Sequence, residues 1–349
     1  MSIEQKPRMR QKPIQHALGG LLLGMVAALV PLLSRRVLAR IANAVGWLAF
    51  HVARRERRVA LTNLDIAFGP SKSPEEKRRI ACSAFQTSVR STLGLFWAPR
   101  LNREILNEMA EFDAEGLRRI EECRARGKGI ILLTMHYCDW EFHGLATALQ
   151  GFPMTVVAQP ARNPHATRIV ERLRASTGNR IIPRRSAVTK LFKALKRGEN
   201  IALLIDQNAP PRRGGVWLDF FGKPVFGYSV AAGLALRTGA AIMPCFVHPL
   251  PDGRMRVVYG PEVPCTRTGD DDADIQVISQ ECLRYCENVI RRQPEYWLWF
   301  YQRWKFRPTT DQGDFPFYSR CIEELLSPRM QADADSQGSG IPEKAAPQA

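Results

Sequence analysis

The sequence predicts an α/β fold in which a mixed, mainly parallel sheet is flanked by helices. Short apolar runs rich in β-branched residues alternate along the chain with stretches of helical character, an order that favours a sheet with both faces covered. The strand candidates are 129–134, 154–158, 201–205, 241–247 and 254–259. With 349 residues, 45% of them hydrophobic, the chain is long enough to bury a sizeable core.

The N-terminal segment is expected to be an apolar membrane-anchor helix. Residues 13–34 contain no Lys, Arg, Asp or Glu over 22 positions, and basic residues flank them on both sides. About 20 apolar residues are needed to cross the hydrocarbon core of a bilayer. A single span fits, and so does a shallow or re-entrant anchor, because three glycines and Pro31 weaken a straight helix. A cleaved signal peptide or a buried core helix fits the pattern less well.

Helix signals follow this segment. Ser73-Pro74-Glu75-Glu76 combines a capping residue, a proline in the first turn and early acids, and it predicts a helix to about residue 99. Further helices are expected at 114–127, 164–177 and 187–197. The chain is therefore divided into a basic segment with the anchor at 1–40, one large domain at 41–326 and a disordered tail at 327–349.

The charge of the chain predicts an anionic partner. Lys and Arg total 50 against 34 Asp and Glu, which gives a net charge of +16. Ten basic residues and one acid lie between Arg168 and Arg197, where lipid headgroups or an acidic protein could bind. The usual signatures of a nucleic-acid-binding module are missing, so no nucleic acid is expected. The eight cysteines show no metal-ligand spacing, and no metal is expected.

One histidine stands where chemistry is expected in such a sheet. The strand at 129–134 leads into His136, and Glu141 follows five residues later. Ligands in open α/β sheets bind outside the carboxyl ends of the strands. In the first turn of a following helix, Glu141 could point back to the imidazole and fix its tautomer, which leaves the other ring nitrogen to take a proton. His136 is then a general base for a hydroxyl, an effect worth about 10²–10⁴-fold.

Other assignments remain open at this point. A structural role is the more frequent explanation of a single His–Glu pair. Asp139 is a rival orienting acid, although it would more naturally cap the helix. Cys138 is a candidate nucleophile, but the side chains of adjacent residues in a turn usually diverge. A GxSxG nucleophile elbow is missing, which favours direct transfer without an acyl-enzyme.

The segment from Gly127 through His136 to Glu141 resembles the HX4(D/E) motif of the lysophospholipid acyltransferase superfamily. It is most similar to the late acyltransferases of bacterial lipid A synthesis, the lauroyl and myristoyl transferases. Four further blocks resemble segments of this family and occur in the same order along the chain: Arg58–Phe68 with Asn63-Leu64, Asn163-Pro164, Asp206–Pro224 and Leu234–Pro244. The closing block is Pro294–Pro308. The resemblance covers about residues 15–310.

The resemblance implies a glycerolipid acyltransferase-like fold for the large domain and an O-acyltransferase activity. A fatty acyl chain would pass from an acyl carrier protein or acyl-CoA, with no other cofactor, to a hydroxyl of a lipid A precursor. By match, His136 is the base and Glu141 its partner. Arg174 would contact an anion or the substrate, with Arg172 as its competitor, and Asp206 would hold the site together.

The resemblance also implies a location and partners. Donor thioesters are cytosolic, so the large domain is expected on the cytoplasmic face of the inner membrane, against an anionic membrane surface. The same chemistry on a phospholipid, an aminolipid or a glycosylated inositol lipid is the alternative. A Phe-Pro-Glu-Gly block is missing, which disfavours phosphatidic acid synthesis. An inactive scaffold is disfavoured because His136, Glu141 and Asp206 occur together.

The aromatic residues of the later blocks allow two interpretations. Trp297, Trp299 and Trp304 either contact lipid, in an acyl groove or at the membrane interface, or pack in the core. Phe220 and Phe221 either shape an acyl chamber or belong to the core.

Overall fold

A computed structural model describes residues 13–210, 215–309 and 313–323. The predicted tail at 327–349 lies outside the described residues. The helices are α1 Pro13–Leu29, α2 Arg35–Val52, α3 Arg54–Phe68, α4 Pro74–Trp97, α5 Arg103–Met109, α6 Ala114–Ala125, α7 Trp140–Leu149, α8 Pro164–Ala175, α9 Ala187–Lys196, α10 Val230–Thr238 and α11 Asp271–Arg292. The strands are β1 Ala110–Phe112, β2 Ile130–Thr134, β3 Met154–Ala158, β4 Arg180–Pro183, β5 Asn200–Leu204, β6 Val216–Phe220, β7 Lys223–Gly227, β8 Ala241–Pro249, β9 Met255–Tyr259, β10 Phe306–Arg307 and β11 Arg320–Cys321.

A seven-stranded sheet with the order β1-β9-β8-β2-β5-β3-β4 forms the centre of the molecule. Neighbouring strands are parallel except for the antiparallel pair β8–β9. All five residues of β2 are buried, as expected for a central parallel strand covered on both faces. The prediction of an α/β fold with a mainly parallel mixed sheet is confirmed.

The helices pack in two groups around this sheet. The first group contains α1–α5, α7 and α8, and the second contains α9, α10 and α11. The helix α4 starts as predicted, because the Ser73 side chain accepts from the amide of Glu76 and Glu76 accepts from the amide of Ser73. The helix α2 packs closely on α4 at Gly46, where a Cβ atom would lie 2.4 Å from the Cα atom of Gln86.

Sequence reasoning did not identify several elements. The strand β4 is a four-residue edge strand ending in Pro183, so it lacks the apolar alternation of a longer strand. The hairpin β6–β7 and the helix α11 were not predicted either. The predicted boundary at residue 40 lies within α2.

The structure does not support the expected spanning helix. None of the described helices combines the length and the hydropathy that a membrane crossing requires. The predicted segment instead forms α1, which ends at Leu29, and a short 3-10 turn at Val30–Leu32 that contains Pro31.

The helix α1 packs against the start of α8. A Cβ atom at Gly20 would lie 2.8 Å from the Cβ atom of His165, so only glycine permits this approach. The side-chain amide of Asn163 donates to the backbone oxygen of His16 at 2.8 Å. This contact joins the N-terminal helix to a helix that carries a candidate site residue, Arg174.

Candidate active site

His136 and Asp206 lie side by side because the strands that precede them are neighbours. The strand β2 pairs with β5 up to Thr134 and Leu204, and each functional residue follows two positions later. The Nδ1 atom of His136 lies 2.9 Å from Oδ1 of Asp206, and the backbone amide of His136 donates to Oδ2 at 3.0 Å. The Asp206 carboxylate therefore holds both the ring and the backbone of the histidine.

A third donor reaches the same carboxylate from the closing block of the chain. The indole N–H of Trp297 donates to Oδ2 of Asp206 at 3.0 Å. Trp297 is 1% exposed and Asp206 is 2% exposed, so this bond is shielded from water. Sequence reasoning did not predict this bond. Only the position of Trp297 in a block that resembles the family pointed to it.

The electrostatics of the pair favour an imidazolium next to a carboxylate. Burial lowers the pKa of His136, but the charge and the hydrogen bond of Asp206, together with the charge of Glu141, raise it, and the net shift is upward. Burial raises the pKa of Asp206, but the His136 contact and the Trp297 bond lower it, and the net shift is downward. With Asp206 on Nδ1, the other ring nitrogen is the one available for proton transfer.

The predicted hydrogen bond between Glu141 and His136 is not present. Glu141 lies in the first turn of α7, as expected, but its carboxylate pairs with Arg174 of α8. The Nε and Nη2 atoms of Arg174 donate to the two carboxylate oxygens of Glu141 at 2.9 and 2.5 Å. This fork uses both oxygens, and Asp206 takes the position on the imidazole that was expected for Glu141. Arg172, the competitor for Arg174, precedes it by two residues on α8.

A cavity of about 520 Å³ opens at these residues. His136, Glu141 and Arg174 line it together, and most of its other lining side chains are apolar. The apolar walls come from the strands β3 and β5 and from the helices α9 and α10. The volume is within the range of about 300–1,000 Å³ for ligand pockets in proteins.

The strands β3 and β5 separate beside this cavity. They pair from Met154↔Asn200 to Val156↔Ala202, whereas β5 stays paired with β2 up to Leu204. Val157 and Leu203, the next residues of the two strands, are only half-buried in the middle of the sheet and line the cavity. Where the pairing ends, apolar side chains of both strands therefore line the same cavity as the imidazole, and this part of the cavity is called the slot.

The two alternative assignments, Cys138 as a nucleophile and Asp139 as the orienting acid, do not have the required environment. Cys138 is 4% exposed, and burial raises the pKa of its thiol to about 12, so it does not serve as a thiolate nucleophile. Asp139 caps α7 by accepting from the amide of Phe142 at 3.1 Å. Burial raises the pKa of Asp139 to about 6.

The aromatic side chains named from the sequence belong to the core. Trp297, Trp299 and Trp304 are at most 1% exposed, and Phe220 packs its ring against Trp297 and Trp304. None of these four residues lines the cavity described above. The groove and membrane-interface interpretations of the tryptophans are therefore wrong.

The described residues contain no group of His, Cys, Asp or Glu that could hold a metal ion. The charged groups around the imidazole form two pairs, His136 with Asp206 and Arg174 with Glu141, and Arg184 donates to the Tyr228 hydroxyl elsewhere in the cavity lining. An imidazole, a carboxylate and a guanidinium at the mouth of an apolar cavity can bind an amphiphile and move a proton at its polar end.

Comparison with known proteins identifies the class of amphiphile. The family model described as bacterial lipid A biosynthesis acyltransferase matches residues 9–306. The chain belongs to this family. It is an acyltransferase that transfers an acyl group to a lipid.

Several known acyltransferases are similar to this chain at low sequence identity. A lipid A biosynthesis acyltransferase of Haemophilus influenzae is 23% identical over 284 residues, which cover 81% of this chain and 85% of the relative. A lipid A biosynthesis lauroyltransferase of Escherichia coli is 25% identical over 78% of this chain and 86% of its own length. A phosphatidylinositol mannoside acyltransferase of Mycobacterium tuberculosis is 25% identical over 64% of this chain and 70% of its own length.

Proposed function

We propose that this chain moves a fatty acyl group from an acyl carrier protein or acyl-CoA to a hydroxyl of a lipid A precursor. The observation that carries the proposal is the imidazole of His136, held by Asp206 at the mouth of an apolar cavity. The similarity to lipid A biosynthesis acyltransferases supports the choice of acceptor.

The reaction is a direct acyl transfer. The Nε2 atom of His136 takes the proton of the acceptor hydroxyl, and the oxygen attacks the thioester carbonyl carbon. The tetrahedral intermediate then expels the thiolate, which takes the proton from the imidazolium, so that the products are an ester and a free thiol. Asp206 stabilises the imidazolium throughout.

Arg174 has the role of anion contact in this proposal, with Glu141 as the residue that orients it. The paired guanidinium lines the cavity and retains exposed surface, since its side chain is 31% exposed and that of Glu141 is 11% exposed. A guanidinium fixed in this way favours the negative charge of a thioester oxyanion or of an acceptor phosphate.

The acyl chain would occupy the slot between β3 and β5. Val157, Leu203 and Leu191 of α9 offer the half-buried and buried apolar surface that a chain would cover. Burial of apolar surface contributes about 25 cal/mol per Å², so a long chain can bind tightly without polar contacts.

A membrane-contacting surface is formed by the first two helices. Twelve of the fifteen exposed large apolar side chains of the described residues lie between 18 and 52. They are Leu18, Leu21, Leu22, Met25, Leu29, Leu32, Val37, Ile41, Val45, Trp47, Leu48 and Val52. Arg36 and Arg40 are exposed beside them. A concentration of exposed apolar side chains in one segment, with exposed arginines nearby in the chain, fits shallow insertion into an anionic bilayer.

Replacing two side chains of this surface tests the membrane contact. We expect Leu21→Glu with Trp47→Glu to reduce binding to anionic lipid vesicles at least about tenfold, since two apolar anchors become charged. Val277→Glu on α11 is the matched control, because Val277 is 60% exposed and lies outside the surface. Equal vesicle binding by the double variant and the control in a flotation assay would count against this surface.

The location of the acyl donors indicates on which side of the membrane the domain lies. Both donor thioesters are cytosolic, so we place the cavity on the cytoplasmic face of the inner membrane. The basic stretch from Arg168 to Arg197 then faces anionic headgroups or the acidic acyl carrier protein.

The acceptor is tested by mass spectrometry of total lipids from cells with and without this chain. We expect one acyl group to be missing from lipid A in the cells that lack it, and the His136→Ala variant not to restore it. A changed inositol mannoside, phospholipid or aminolipid with unchanged lipid A would replace the proposed acceptor. The similarity to the mannoside acyltransferase is the observation that keeps this second acceptor class under test.

A further inference from the structure

The carboxylate of Asp206 makes three hydrogen bonds. One of the three comes from Trp297, in the closing block of the chain. Oδ1 contacts Nδ1 of His136, and Oδ2 accepts from the backbone amide of His136 and from the indole of Trp297. The indole bond is the only one of the three made by a residue other than His136. It therefore prevents the carboxylate plane from turning with the histidine.

The backbone of the closing block is attached to the same loop. Tyr137 and Trp297 form an isolated antiparallel bridge, and the amide of Cys138 donates to the carbonyl oxygen of Tyr296 at 2.9 Å. Cys138 has a φ of 50°, a left-handed conformation that costs energy in a residue with a side chain. The bridge thus holds a strained loop next to the catalytic histidine.

The ring of Trp297 is fixed in its turn. It packs edge-on against Trp299 and Phe220 with centroid distances of 4.7 and 5.5 Å. The ring is buried and does not line the cavity, so it contacts neither the acyl chain nor the acceptor.

We infer that Trp297 is a positioning residue, whose indole N–H fixes the Asp206 carboxylate so that His136 presents its reactive nitrogen to the cavity. This inference rests on the proposed function of His136 as the base. Loss of the indole N–H leaves Oδ2 with one donor, and the carboxylate then has a less defined orientation and a more concentrated charge.

Removing the bond while keeping an aromatic ring tests the inference. In Trp297→Phe we expect kcat to fall about tenfold to a hundredfold, as is typical for a lost hydrogen bond to a charged group. The KM for the acyl donor should change less than about threefold, because the cavity walls are unchanged. The acid limb of the kcat/KM profile should move to higher pH, since the carboxylate no longer shares its charge with the indole.

Several charged or titratable groups face this pair. Those acting on His136 are Asp206, Glu141 and Arg174. Those near Asp206 on other elements are Cys286, Arg303 and Tyr301. None of them is altered in the Trp297→Phe variant, so a moved acid limb reports on the indole bond.

Trp304→Phe is the matched control. Trp304 is as buried as Trp297 and lies in the same block, but its indole N–H has no hydrogen-bond partner among the described residues. We expect the control to lose a similar amount of thermal stability while the acid limb stays in place. Equal effects of the two variants on kcat and on the acid limb would overturn the inference.

A spectroscopic readout does not depend on the reaction. In the ¹⁵N-tryptophan-labelled full chain, one of the seven indole N–H signals should lie downfield and move in Asp206→Asn. Seven signals that are unchanged by Asp206→Asn would overturn the inference, even for an active enzyme. A moved indole signal in a protein without transferase activity would instead contradict the proposed function alone.

Discussion

Replacing His136 with alanine is expected to reduce acyl transfer by about three orders of magnitude, in line with the loss of a general base. The acceptor hydroxyl has a high pKa, so without the imidazole its oxygen keeps its proton at neutral pH. The fold should persist, because Asp206 keeps the indole donor and the backbone amide of residue 136. Release of free thiol from an acyl carrier protein thioester, measured with the lipid acceptor present, gives the rate.

His248→Ala is the control for this variant. His248 is half-buried, bonds to Gln293 at 2.9 Å and does not line the cavity. Its replacement should leave the rate within a few-fold of the parent protein. If His136→Ala kept more than about a tenth of the parent rate, His136 would not be the base.

The Asp206→Asn variant is expected to lose about two to four orders of magnitude in kcat. An amide in this position can donate to Nδ1 of His136, which would stabilise the tautomer with a proton on Nε2. That tautomer cannot accept the proton of the acceptor hydroxyl. The loss should therefore exceed that of Trp297→Phe, which keeps the carboxylate.

The acid limb of the pH profile is expected to shift in the Asp206→Asn variant. In the parent protein, burial lowers the pKa of His136, but the contacts of Asp206 and the charge of Glu141 together give a net upward shift. The acid limb of kcat/KM is therefore expected above the ordinary value for histidine. Without the carboxylate, burial dominates and lowers the pKa of His136, so the acid limb moves to lower pH while the maximal rate falls. An acid limb that stayed in place would contradict the pairing.

Asp219→Asn is the control for this change of charge. Asp219 is exposed on β6, accepts from the amide of Gly222 at 3.2 Å and does not line the cavity. It removes one negative charge without changing the partners of His136. Its profile should match that of the parent protein.

The sequence predicted the central strands well because each is a short, continuous apolar run. The strand at 129–134 corresponds to β2 at Ile130–Thr134, and the candidate at 154–158 corresponds to β3. Because both faces of these strands are buried, their sequences are continuously apolar, and the strands can be recognised without an alternation of apolar and polar residues. The edge strand β4 and the hairpin β6–β7 lack this signal and were missed.

The partner of His136 was harder to predict because it depends on strand order. Glu141 is five residues away in the chain, whereas Asp206 is 70 residues away and Trp297 lies 91 residues beyond Asp206. Local spacing shows that Glu141 starts a helix near the imidazole. It does not show that β5 lies next to β2, and this adjacency decides which carboxylate reaches Nδ1.

The contact between α1 and α8 has a consequence for regioselectivity. Gly20 contacts His165 near the start of α8. Arg174 lies nine residues further along the same helix, which is about 14 Å at the rise of an α-helix. In the proposed orientation, in which α1 lies on the bilayer, α8 fixes the distance between the membrane surface and the Arg174 end of the cavity. Among the many alcohols of a glycolipid, only those at the matching height above the acyl region would be esterified.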